Sequence, residues 1–190
     1  LAWAVGFLAV YALRLPVTYQ HGRYAMPVLP ALIVTGAEGM AAWSDLQAPT
    51  FLRRLISRGW VASVIAATAV FLGLGARAYS QDVAIIETEM VAAARWISVH
   101  TEPGALIAAH DIGALGYFGE RPILDLAGLA SPEVIPFIRD ETRLAAYLNA
   151  RQARYLMTFP GWYPQLTAEA LEIYRTDGRF SPQAGGENMA

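Results

Sequence analysis

Two short strings carry most of the chemistry-bearing side chains in this sequence. The first is His21-Gly22-Arg23-Tyr24, just ahead of Met26-Pro27-Val28-Leu29-Pro30. An arginine guanidinium is a planar fork that binds phosphate through two parallel hydrogen bonds. His21 and Tyr24 add donors, Gly22 lets the backbone approach closely, and the start of the following helix adds partial positive charge. Together they form a candidate phosphate site at a membrane surface. The competing reading is interfacial anchoring, since Tyr and Arg both settle at headgroup depth, and spacing does not choose between the two.

The second string is His110-Asp111, followed by Asp125. Both carboxylates fall at the ends of predicted strands, where ligands gather in open α/β sheets. Two carboxylates and a histidine can hold a metal or move protons. The sequence favours a structural account. In it Asp111 caps the next helix, and His110 and Asp125 are hydrogen-bonded framework residues. No nucleophile elbow, P-loop or His-x-x-x-His pattern accompanies them. Gly113 and Gly116 read as tight helix–sheet packing, not as a phosphate loop. Phe159-Pro-Gly-Trp-Tyr-Pro164 reads as a rigid loop, with a sugar-stacking surface or a lid resting on lipid as alternatives.

The elements that must position these residues divide between two solvents. Trp60 to Ala76 contains no charged residue and is bracketed by Arg58 and Arg77. As a helix it spans about 25 Å, and snorkelling arginines extend its reach toward the roughly 30 Å hydrocarbon core. Leu1 to Leu13 reads as part of a transmembrane helix. Ala25 to Trp43 reads as a further span, with Pro27 and Pro30 near its start, where a lost N–H costs least, and Glu38 within it. Residues 44–59 read as a linker with a short amphipathic helix around Phe51, Leu52, Leu55 and Ile56. Its arginines Arg53, Arg54 and Arg58 indicate the cytoplasmic side. The loop at 14–24 and the tail then lie outside the cytoplasm.

Beyond residue 78 the pattern becomes α/β. Gln81 to His100 has Ile86, Met90, Ala93 and Ile97 on one helical stripe. Short apolar runs at Ala105–Ala109, Arg121–Leu126 and Tyr155–Phe159 predict strands, with Leu171–Thr176 as a fourth. Asp111–Phe118 is a turn or short helix, and Arg139–Ala153 a longer one. Alternating helices and strands indicate a small, mostly parallel sheet. The expected fold is therefore transmembrane α-helices, about two complete and one partial, over residues 1–79, then an extracytoplasmic soluble α/β domain over 80–190.

Charge sharpens the division. Residues 1–77 hold six arginines against two acids, whereas 78–190 hold eight against fourteen. An acidic globular part argues against nucleic acid as a partner. With no cysteine, disulfides, thiolate catalysis and Cys-ligated metals are excluded. No cofactor is evident. The chain opens inside an apolar run and reads as the C-terminal part of something longer.

The string His21 to Pro30, one last apolar span, Ala94-Arg-Trp-Ile97, Asp111-Ile-Gly-Ala-Leu-Gly-Tyr-Phe118 and Ile123-Leu-Asp-Leu-Ala-Gly-Leu129 resemble a known family. They look like the C-terminal end of bacterial multi-pass glycosyltransferases of the GT-C superfamily, similar to protein O-mannosyltransferases and the lipid A aminoarabinose transferase. The resemblance implies a cell-membrane, multi-pass protein in contact with the bilayer. It implies transfer of a sugar from a polyprenyl-phosphate carrier to an acceptor at the outer face, and a divalent metal in some full-length members. It also implies a catalytic aspartate in an N-terminal loop outside this chain, so no residue here is assigned as the base and the chain alone is expected to be inactive. What carries over is Arg23, with His21 and Tyr24, as a clamp on the carrier phosphate. The alternative is a membrane-tethered α/β module that binds an acceptor or partner without catalysis of its own.

Overall fold

A computed structural model describes residues 2–14, 23–43 and 50–180. The chain divides into two compact units, Leu1–Leu74 and Gly75–Ala190. The first unit contains α1 (Ala2–Arg14), a 3-10 turn at Arg23–Val28 and α2 (Leu29–Trp43). Helix α3 (Phe51–Ile85) begins in it. Two helical runs are long and apolar enough to cross a membrane, Arg23–Ala42 and Phe51–His100. Their apolar side chains, among them Leu32, Ile33, Val34, Ile65, Phe71 and Leu72, are exposed, which suits lipid and not water.

Two sequence boundaries move. Arg53, Arg54 and Arg58 lie on α3 itself, not in a linker, and residues 44–49 lie outside the described residues. The helix predicted to start at Gln81 is continuous with α3. Between Arg77 and Gln81 there is no proline or glycine to stop it.

The second unit is a three-stranded parallel sheet in the order β2-β1-β3, with β1 at Ile107–Ala109, β2 at Ile123–Asp125 and β3 at Tyr155–Met157. Ile107 pairs with Ile123 and Tyr155, and Ala109 with Asp125 and Met157. Parallel neighbours need crossovers, supplied by α5 (Ile112–Phe118) and by α6 (Glu141–Arg151). Both faces are covered, so the strands are short apolar runs without polar alternation. On one face Ala93, Ala94 and Ile97 of α4 (Ala92–His100) pack with Leu115, Ile107, Ala109 and Met157. On the other, Ala108, Leu124 and Leu126 meet Val134, Leu144 and Tyr163.

Local chemistry fixes the ends. Asp140 caps α6 by accepting the Arg143 N–H at 3.1 Å. Arg121 closes the end of α4, donating to the carbonyls of Ser98 and Thr101 at 2.7 Å each. A π-helical turn at Ile86–Val91 carries Glu89, fully buried, whose carboxylate accepts from the Thr176 hydroxyl.

Leu171–Thr176 is not a fourth strand. It pairs with no strand and is held by that Thr176 contact and by Tyr174 stacked on Trp96 at 4.7 Å. A cavity of about 720 Å³ lies between it and β3. The glycines of α5 are also looser than expected. A Cβ on Gly113 meets nothing within 4 Å, and one on Gly116 meets Ile123 at an ordinary 3.6 Å.

Candidate functional site

Strand register brings the second set of candidates to one edge. With Ala109, Asp125 and Met157 side by side, the chain leaves β1 at His110-Asp111 and β3 at Thr158. His110 Nδ1 and the Tyr163 hydroxyl share a hydrogen bond of 2.7 Å. Tyr163 is buried, and burial first, then the fields of Asp125, Glu141 and Asp111, push its hydroxyl up to about 12. It stays protonated, and it donates to or accepts from His110 Nδ1 according to the imidazole tautomer. In either sense Nδ1 is engaged, and among the described residues Nε2 is the ring nitrogen open to a ligand.

The loop that carries Tyr163 is pinned from behind. Glu141 of α6 accepts the backbone N–H of Gln165 at 2.8 Å and of Leu166 at 3.0 Å. These bonds hold the start of α7 (Pro164–Ala168) against α6. Trp162 packs edge-on to His110 at 5.0 Å and tilts on Phe159 at 5.0 Å, yet keeps 43% of its surface exposed. Its ring is fixed in angle and open to solvent.

Asp111 occupies the position before α5 but makes no capping hydrogen bond. Burial raises its pKa above the ordinary 3.8, with His110 opposing the shift. Among the described residues it has no ion pair. Its carboxylate acts electrostatically on both His110 and Tyr163, so the three groups share one locality.

Asp125 is different in kind. It is buried, and its oxygens accept the backbone N–H of Ala127 at 2.8 Å, Ala130 at 2.5 Å and Ser131 at 3.4 Å. It organises the turn after β2, where Gly128 has a φ of 77° and a Cβ would lie 2.7 Å from Ile135. Its acceptor positions are spent on the backbone. Among the described residues no group of three or more His, Asp or Glu side chains is placed to hold a metal. The described residues therefore do not make a divalent-cation set.

In the first unit, Arg23 donates to the Tyr24 hydroxyl at 3.0 Å, with its guanidinium 4.9 Å from the Tyr24 ring centroid. Both are exposed at the start of the Arg23–Ala42 run. His21 lies outside the described residues. Glu38 is exposed on α2.

Sequence reasoning did not find Tyr163 as the partner of His110, because the two are 53 residues apart. It also missed Glu89, although a signal existed. Glu89 sits three residues after Ile86 and four before Ala93, inside the apolar stripe of its helix.

Neither a curated protein nor a solved structure matches this chain. A family model described as "Domain of unknown function (DUF8728)" matches residues 75–188, beginning at the first residue of the second unit. The match covers more than half of the sequence, and the chain belongs to that family.

Proposed function

We propose that the chain is the C-terminal part of an integral-membrane glycosyltransferase that moves a sugar from a polyprenyl-phosphate carrier to an acceptor at the outer membrane face. The observation that carries this reading is the Arg23–Tyr24 pair at the start of a helical run of spanning length. That run is 20 residues long, about 30 Å of helix and the thickness of a hydrocarbon core. A residue at its end sits where lipid phosphates sit.

Tyr24 occupies one N–H of the guanidinium and its ring supports the plane. The remaining N–H groups face solvent with no carboxylate partner among the described residues. In the proposed reaction an acceptor hydroxyl attacks the anomeric carbon. The bond from that carbon to the phosphate oxygen breaks, and the carrier phosphate leaves with the electron pair. The hydroxyl proton goes to a carboxylate base supplied from outside this chain. Arg23 holds the leaving phosphate as its negative charge grows, and the globular unit faces the acceptor side.

The test is Arg23→Ala and Arg23→Lys in the membrane-embedded full-length protein, supplied with radiolabelled polyprenyl-phosphate sugar. Loss of one charge-stabilising donor at a leaving group costs about 10²–10³ in turnover. Arg23→Ala is expected to fall by that factor while still inserting, and Arg23→Lys to recover part. Undiminished transfer by Arg23→Ala removes the clamp. The tethered-module reading keeps one specific support, the exposed Trp162 beside His110.

A further inference from the structure

We infer that the carboxyl edge of the sheet is a saccharide-binding site, with Trp162 as the stacking platform and Asp111 and His110 as the hydroxyl-reading pair. Three demands meet there. Trp162 presents an aromatic surface, locked by Phe159 and His110, that is well exposed. Such a face takes up the C–H surface of a pyranose ring. Asp111 is half-buried, caps nothing and has no ion pair among the described residues, so it requires a donor. His110, with Nδ1 committed to Tyr163, has Nε2 left to meet a hydrogen-bonding ligand.

A hydroxyl is both donor and acceptor, and adjacent hydroxyls on one ring satisfy Asp111 and His110 together. A phosphate is excluded because the carboxylate repels it, and no basic residue occurs from Phe159 to Pro164. A quaternary ammonium suits Trp162 and Asp111 but offers His110 Nε2 no hydrogen bond in either tautomer. Neutral sugar is the chemistry that offends none of the three. The backbone bonds from Glu141 and the Asp125 turn hold this edge in place without a ligand, which lowers the ordering cost of binding. The inference deepens the transferase reading by making the acceptor a glycan. The acceptor role of the bound sugar rests on that reading, and the binding site itself does not.

The experiment is saturation-transfer NMR on the full chain in lipid nanodiscs. The probes are methyl α-mannopyranoside, methyl β-glucopyranoside and N-acetylglucosamine, with tetramethylammonium as the competing cation. At least one sugar is expected to bind with millimolar affinity, and Trp162→Ala and Asp111→Asn each to weaken it about tenfold or more. Trp162→Phe is expected to keep part of the signal. Trp96→Phe, on the stack with Tyr174, keeps all of it and shows that the unit is folded. No sugar signal at roughly 50 mM, a signal that both variants leave intact, or preference for tetramethylammonium overturns the inference. Arg23→Ala leaves sugar binding unchanged. Absent sugar binding with Arg23-dependent transfer therefore sinks this site alone. Sugar binding with Arg23-independent transfer sinks the phosphate clamp alone.

Discussion

Replacing Asp125 with alanine tests how the edge of the sheet is held. The carboxylate is 1% exposed and accepts three backbone N–H groups from the turn that follows β2. The bonds from Ala127 and Ala130 are short. The 3.4 Å approach of Ser131 is too long to count fully. A hydrogen bond to a charged group contributes about 1.5–3 kcal/mol, so two give a gross loss of about 3–6 kcal/mol. Ala130 is exposed and Ala127 half-buried, so water replaces part of what is removed. The expected net loss for Asp125→Ala is about 3 kcal/mol. Asp125→Asn keeps an acceptor for Ala127 but turns an amide N–H₂ toward the Ala130 N–H, and is expected to lose about 2 kcal/mol. Pulse proteolysis of the full chain in detergent micelles reads these losses as populations of the opened unit. Hydrogen exchange locates them, with Ala127 and Ala130 losing protection first. A loss below about 1 kcal/mol in Asp125→Ala refutes the argument that this carboxylate builds the turn.

Two further outcomes follow from the same structure. Asp111 has a native pKa above its ordinary 3.8 because burial penalises the ion, so its charge destabilises the fold above the native value, and the penalty vanishes once both states are protonated. Asp111→Asn should therefore be more stable than the parent at pH 7. That gap should close as pH falls through the native pKa and be gone below 3.8; a gap that is flat with pH refutes it. Glu102, Glu133 and Glu172 have lowered pKa values and act in the opposite direction, favouring the fold above their ordinary values. They are common to both chains and cancel in the comparison. Gln152 ends α6 in the left-handed region with φ 58°, where a Cβ is strained. Gln152→Gly is expected to gain about 0.5–1 kcal/mol in the same proteolysis assay, and a loss would show that the side chain matters more than the backbone.

The parallel sheet was legible because its strands are short apolar runs separated by helical stretches, and burial on both faces leaves no polar alternation to obscure them. His110 and Asp111 were legible for the same reason, since a strand that stops at Ala109 must release its next residues at the sheet edge. What each side chain then does was not. A carboxylate before a helix either turns back to cap it or faces outward, and the two differ by one rotamer that the local sequence does not encode. Asp125, the last residue of β2, took the backbone as partner, and Asp111, two residues past the end of β1, did not. The sequence marked Arg23 and Tyr24 as phosphate donors, and their hydrogen bond to each other is a feature it did not indicate.

Leu171–Thr176 shows why a short strand-like run can mislead. From Ile173 to Thr176 burial alternates, with Tyr174 half-buried and Thr176 buried, but Leu171 and Glu172 are both exposed, so the period of two spans only four residues. An extended chain alternates its side chains whether or not it hydrogen-bonds to a neighbour. Pairing with β3 would bring the backbones to about 4.8 Å, and a cavity of about 720 Å³ stands there instead. The alternation is explained without a sheet by two inward anchors, Tyr174 on Trp96 and Thr176 on Glu89. Those anchors lie 78 and 87 residues upstream. Since the apolar Leu171 and Ile173 are the ones left exposed, the side that this segment buries, like the partner that receives it, is set by the fold and not by the pattern within its six residues.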